Sequence, residues 1–125
     1  MIRIDTNYIL RYLLNDDEKM ASIAEKVILH KEVHISNEVW AEVVYVLEDV
    51  YGLEKEEISD VLLSLLKSDN IKVIDKYTLS KALELFALKK LDFVDCLLCA
   101  YANIDEILTF DKQLNKCVDT QKDLS

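Results

Sequence analysis

The sequence predicts an α/β protein built on a parallel sheet, and two observations carry this prediction. Short apolar runs at residues 2–4, 33–35, 71–74 and 107–110 alternate with longer segments whose apolar residues recur at helical spacing. The first run ends at Asp5-Thr6-Asn7, the second at Ser36-Asn37 and the fourth at Asp111, which are residues that favour a turn or a helix start. Strands that alternate with helices in this way form parallel sheets covered on both faces. We therefore expect a three-layer α/β/α domain whose parallel sheet has four to five strands, the last of them short, at residues 117–118.

Six longer segments predict helices, which begin near residues 7, 17, 38, 54, 78 and 92. Only the third is ambiguous, because Val43-Val44-Tyr45-Val46 favours a strand. Its length and its exit at Gly52 favour a helix, and we interpret it as one. The tail from Thr120 is polar and is expected to fray.

The composition bounds the class of protein. At 125 residues, with 51% of them apolar, the chain is expected to form one domain, residues 1–125, with a sizeable core. A single Gly and no Pro disfavour the glycine-rich loops of nucleotide-binding folds. The formal charge of −9 argues against a basic surface for nucleic acid. It fits either carboxylates gathered around a divalent cation or an ordinary acidic domain.

The sequence also predicts the cellular compartment of the protein and the oxidation state of its cysteines. There is no apolar signal segment at the start and no apolar stretch long enough to span a bilayer, so a soluble cytoplasmic protein is expected, with no membrane partner. Cys96, Cys99 and Cys117 are odd in number and lie in apolar or helical surroundings, which favours buried reduced thiols. The Cys96-x-x-Cys99 spacing is a weak indication of zinc, because no matching histidine motif accompanies it.

Four acids lie where such a fold could bring them together. Asp5 and Asp111 follow predicted strands, and Glu42 and Asp95 lie on predicted helices. Open α/β sheets bind ligands at the carboxyl ends of their strands, so Asp5 is either a helix cap or the first member of a site. Asp95 shares a helical stripe with Cys99 and Ala102, which predicts that it faces inward, where a carboxylate needs a partner or a metal.

Four short motifs in series resemble the PIN-domain ribonucleases over essentially the whole chain. They are Ile-Asp5-Thr6-Asn7, Ser36 six residues before Glu42, Asp92-Phe-Val-Asp95, and Thr109-Phe-Asp111. In particular, the chain resembles the single-domain toxins of bacterial and archaeal toxin–antitoxin pairs.

The resemblance implies a metal-dependent endoribonuclease that acts on RNA and is held inactive by a cognate antitoxin. It implies that Asp5, Glu42, Asp95 and Asp111 are catalytic and bind Mg²⁺ or Mn²⁺, ions that favour oxygen ligands. Thr6, Asn7 and Thr109 match positions that support the site. Asp92 matches a position that is often acidic, although a helix cap is its simpler interpretation. A homodimer is expected from the same resemblance and from helix surfaces rich in Val, Leu and Tyr.

Basic side chains also flank the motifs and could guide an RNA backbone. They are Arg11, Lys89, Lys90, Lys112 and Lys116. For any one of them, a solvated surface residue is the simpler interpretation.

Other classes of protein with a similar architecture remain open. A phospho-receiver module also carries Asp at strand ends, but it needs an acidic pair after the first strand, where this chain has Asp5-Thr6-Asn7. A dehalogenase-type phosphatase needs a second Asp where Asn7 stands. A non-catalytic interaction domain of the same fold is the third alternative. No Ser–His–Asp or Cys–His arrangement indicates nucleophilic catalysis.

Overall fold

A computed structural model describes residues 1–124, which form three strands and seven helices. In chain order the elements are β1 (Ile2–Arg3), α1 (Thr6–Leu14), α2 (Glu18–His30), β2 (Val33–His34), α3 (Asn37–Asp49), α4 (Lys55–Leu66), β3 (Ile71–Lys72), α5 (Lys76–Leu88), α6 (Phe93–Tyr101) and α7 (Lys112–Leu124). The six predicted helices are all present, and a seventh was not predicted.

The three strands form one parallel sheet in the order β1-β2-β3, as the alternation of strands and helices predicts. A pair of helices connects each strand to the next, α1 and α2 first and then α3 and α4. The Asn70 amide nitrogen donates to the carbonyls of Ile28, at 2.6 Å, and Lys31, at 2.8 Å. This side chain therefore ties the end of α2 to the start of β3.

Pairing in register gives the sheet one apolar face and one polar face. Val33 pairs with Ile71, and both side chains are buried. On the opposite face His34 pairs with Arg3 and Lys72, and none of these three side chains is buried. The core therefore lies against the apolar face, and the three-layer arrangement stays a prediction.

Over residues 1–124 the sheet has three strands, so the prediction of a fourth and a fifth strand was wrong. Residues 106–109 form a loop without strand pairing, and Leu108 and Phe110 project into solvent. Apolar character alone predicted a strand there, but a strand also needs a hydrogen-bonded neighbour.

The expected strand at residues 117–118 is also wrong, because both residues lie in α7. Leu114, Cys117, Val118 and Gln121 are buried at spacings of three and four, which is the period of a helix. The tail that was expected to fray continues α7 to Leu124, and within it Gln121 is only 4% exposed while residues 120 and 122–124 are exposed. Ser125, the last residue of that tail, lies outside the described residues.

The ambiguous segment at residues 38–51 is helical, as predicted. Trp40, Val43, Val44 and Leu47 of α3 are buried, so packing of an apolar helical face prevails over the strand propensity of its valines. The helix is followed by Gly52 with φ of +68°, and the amide of Leu53 donates to the carbonyl of Leu47. A glycine adopts this left-handed conformation without the steric penalty of a Cβ.

Cys99 and Cys117 form a disulfide that joins α6 to α7, whereas reduced thiols were expected for all three cysteines. The error has a physical cause, since pairing depends on how α7 packs, and α7 was itself not predicted. Cys96 remains a free, buried thiol, and burial raises its pKa to about 12.

Over residues 1–124, no helix combines the length and the apolar character needed to cross a membrane.

Candidate active site

Asp5 lies just beyond β1 and caps α1. Its Oδ1 accepts a hydrogen bond of 2.9 Å from the amide of Tyr8, so the capping role expected of such a residue is present. The same residue borders a cleft of about 320 Å³ that is also lined by His34, Ser36 and Val39. Asp5 is exposed, and its Oδ2 accepts no hydrogen bond from residues 1–124. The cap thus fixes the side chain and leaves one oxygen free for a ligand.

Two more acids are fixed in the same way. Asp92 Oδ1 accepts a 2.9 Å hydrogen bond from the amide of Asp95 and caps α6. Asp111 Oδ1 accepts from the amide of Leu114, at 2.8 Å, at the start of α7. Both carboxylates satisfy amides that a helix start leaves without partners, and this holds their orientation.

Asp95 is the acid whose electrostatic environment is most unusual. Its side chain is half-buried in the first turn of α6. Desolvation raises its pKa above the ordinary value, and the charges of Asp92 and Asp111 raise it further. The ion pairs within residues 1–124 involve Asp16 and Glu32 and none of these three acids. Asp95 is therefore near enough to Asp92 and Asp111 for their charges to act on its pKa, and no cation of the chain pairs with these acids.

Glu42 is exposed on α3, one turn after Val39, which lines the cleft beside Asp5. Helices α3 and α6 are joined where the Asn37 amide nitrogen donates to the Tyr101 hydroxyl at 3.1 Å. Glu42 and Asp95 each lie within about two helical turns of that contact. Glu42 is thus placed on an element that borders both Asp5 and α6.

The predicted quartet fits a divalent cation in chemistry but is not assembled into a closed site. Carboxylate oxygens are the ligands that Mg²⁺ and Mn²⁺ prefer, and Asp95 lies in surplus negative charge that a cation would neutralise. Over residues 1–124, however, no three His, Cys, Asp or Glu side chains are close enough to hold one ion. An ion would therefore have to draw these side chains together.

The residues predicted to support the site have different environments. Thr6 is buried as the first residue of α1, and Asn7 is exposed and shares a second cleft with Asp5. The Thr109 hydroxyl accepts a 3.1 Å hydrogen bond from the amide of Asp111. Thr109 therefore helps to fix the backbone that carries Asp111.

Asn115 was not predicted to belong to this region. Its side-chain nitrogen donates to the carbonyl of Thr109 at 2.9 Å and so ties α7 to the loop before it. The signal available in the sequence was an amide one helical turn after Asp111, a spacing that becomes informative only once α7 is recognised.

The chain belongs to the PIN domain family, whose model matches residues 2–118. It is also similar to a VapC ribonuclease of Aquifex aeolicus (strain VF5), with 28% identity over 120 residues, which cover 90% of this chain and 89% of that protein. No solved structure matches the chain significantly.

Proposed function

We propose that this protein is a metal-dependent endoribonuclease that hydrolyses phosphodiester bonds of RNA. The observation that carries the proposal is the half-buried Asp95 carboxylate, raised in pKa beside Asp92 and Asp111 without a cation from the chain. A half-buried carboxylate whose pKa is raised beside other acids is typical of a functional site. Membership of the PIN family and the similarity to a VapC ribonuclease support RNA as the substrate.

In this proposal Asp5, Glu42, Asp95 and Asp111 hold Mg²⁺ or Mn²⁺ through carboxylate oxygens. A bound ion would supply an activated water and would stabilise the charge that develops on the phosphate. The chain itself orients the ligands, since the helix caps hold Asp5 and Asp111, and Thr109 and Asn115 fix the loop before α7.

The test is cleavage of a mixed RNA pool by the purified protein. We expect cleavage in Mn²⁺ or Mg²⁺ and none in EDTA, because the four acids alone supply no positive charge to the phosphate. Sequencing of the cut ends would identify the preferred site. Cleavage of equal rate in EDTA would contradict the metal requirement, and intact RNA under every metal condition would favour a non-catalytic interaction domain of the same fold. That alternative draws its support from the open arrangement of the acids.

The proposed context is that of a toxin in the cytoplasm, where its RNA substrate is found. A cognate antitoxin would be its inhibitor, and a small neighbouring reading frame that encodes one would support this assignment. A homodimer is proposed as well, since Tyr45, Val50 and Tyr51, in α3 and the turn that follows it, expose large apolar side chains.

A further inference from the structure

A basic cleft of about 270 Å³ lies between the α5–α6 turn and α7. One wall is the turn itself, residues 89–91, and the other is one face of α7. The residues that line the cleft are Lys89, Lys90, Leu91, Gln113, Lys116, Cys117 and Thr120. The four residues from α7 are spaced by three, one and three positions, so they share one helical face.

The turn that forms the first wall is anchored from α4. Lys55 Nζ donates to the carbonyls of Lys89, at 3.2 Å, and Leu91, at 2.7 Å. The same ammonium lies 4.4 Å from the centre of the Phe86 ring, a cation–π contact. Because Lys55 is held at three points, the backbone that carries Lys89 and Lys90 is held as well.

The second wall is anchored by the disulfide. Cys117, which lines the cleft, is bonded to Cys99 of α6. Both walls are therefore connected to the body of the protein, and the cleft does not depend on flexible segments for its shape.

No ion pair within residues 1–124 neutralises the lysines of the basic cleft. Lys89, Lys90 and Lys116 are exposed, and the ion pairs within residues 1–124 do not involve them. Three ammonium groups around one cleft repel one another, and an anion relieves this repulsion. Gln113 adds a neutral hydrogen-bond donor beside them, whereas the Thr120 hydroxyl already donates to the carbonyl of Lys116. Arg11, by contrast, is already bonded to Asp16 and to the Tyr51 hydroxyl.

Both walls of the cleft adjoin the acids of the candidate active site along the chain. Leu91 directly precedes Asp92, and Gln113 follows Asp111 by two residues. We propose that the basic cleft binds a backbone phosphate of the RNA substrate next to the bond that is cleaved. This inference rests on the proposed function and identifies how an acidic protein retains a polyanion.

The test compares wild-type protein with the Lys89→Ala/Lys116→Ala variant. RNA affinity is measured in EDTA by fluorescence anisotropy of a labelled single-stranded RNA, and steady-state cleavage is measured in Mn²⁺, both over a range of NaCl concentrations. We expect KM and Kd to rise severalfold while kcat stays within about twofold, because the cleft contacts a neighbouring phosphate and not the reacting atoms themselves. The slope of log affinity against log salt should become less negative by about 0.7 for each lysine removed.

The matched control is Lys31→Ala/Lys67→Ala, which removes the same charge. These two exposed lysines precede β2 and β3 and so lie at the edge of the sheet opposite Asp5. The control should show the wild-type slope of log affinity against log salt. Lys89→Arg/Lys116→Arg, which keeps both positive charges, should show that slope as well.

The outcomes separate this inference from the proposed function. If Lys89→Ala/Lys116→Ala cleaves RNA at the wild-type rate with an unchanged KM and salt slope, the proposed phosphate site is wrong and the proposed nuclease activity stands. If no RNA is cleaved, the binding measurement in EDTA still decides, since RNA affinity that is equal in both proteins would overturn the cleft. A poly-glutamate peptide that displaces labelled RNA from wild type as effectively as unlabelled RNA of the same charge would show a general anion site and would overturn the phosphate assignment.

Discussion

Replacing Asp95 by Asn is expected to lower the rate of RNA cleavage roughly 100-fold or more, because it removes a carboxylate that the proposed metal site requires. Asp5→Asn, Glu42→Gln and Asp111→Asn should each have an effect of the same order. Asn accepts a cap hydrogen bond about as well as Asp, so Asp5→Asn and Asp111→Asn keep their helix starts while losing the charge. Single-turnover cleavage in Mn²⁺ measures the effect, and circular dichroism checks the fold.

Asp92→Asn is the matched control, since Asp92 caps α6 and lies beside Asp95 without belonging to the predicted quartet. We expect it to retain activity within a few fold and to lose about 1 kcal/mol of stability or less, because Asn keeps the cap hydrogen bond and loses only the charge at the helix start. Full activity in both Asp5→Asn and Asp95→Asn would reject the quartet, and a loss in Asp92→Asn equal to that in Asp95→Asn would add Asp92 to it.

Removal of the Cys99–Cys117 disulfide is expected to lower the free energy of unfolding by about 3 kcal/mol, since the bond closes a loop of 18 residues. For a chain of this length, the expected decrease in Tm is about 10 °C. The measurement is urea and thermal unfolding of Cys99→Ser/Cys117→Ser and of wild type, each with and without a dithiol reductant.

Cys96→Ala is the control for this experiment, because Cys96 is buried on the same helix but forms no disulfide. It should keep the sensitivity to reductant that wild type shows, whereas the double variant should have none. Both disulfide sulfurs lie in buried residues, so the reductant should act faster in urea than in buffer. Wild-type protein that unfolds identically with and without reductant in urea would show that the two thiols are not paired.

Much of this fold is predictable from local patterns in the sequence. The helix that begins at Asp92 has an acidic cap and an apolar stripe, and both are present in α6. The parallel sheet follows from the alternation of short strands with helices. The valines of α3 show where local propensity is insufficient, since their burial in the core and not their intrinsic preference makes the segment helical.

The errors share one cause, which is dependence on contacts distant in sequence. Residues 107–110 are as apolar as a strand, yet they have no pairing partner. The seventh helix is mostly polar and buries only four residues, so apolar content gives little indication of it although those four recur at helical spacing. The bond from Cys117 to Cys99 depends on the packing of that helix. For the same reason the four acids could be named from the resemblance, while their separation in space could not be predicted.

Thermal unfolding of wild-type and Asp95→Asn protein, each in EDTA and in Mn²⁺, tests the proposed metal site most directly and needs no RNA. The pKa of Asp95 is raised in the folded chain, so the ionised carboxylate destabilises the fold at pH values above both its folded and unfolded pKa. At neutral pH in EDTA, Asp95→Asn should therefore be as stable as wild type or more stable. Mn²⁺ should raise the Tm of wild type, because an ion that binds only the folded state stabilises it, and the shift should be smaller in Asp95→Asn.

If Asp95 only stabilised the start of α6, the Asp95→Asn variant would show the opposite result. If Asp95→Asn melts below wild type in EDTA and still shows the full wild-type shift in Mn²⁺, then Asp95 does not bind the ion and the proposed site is wrong.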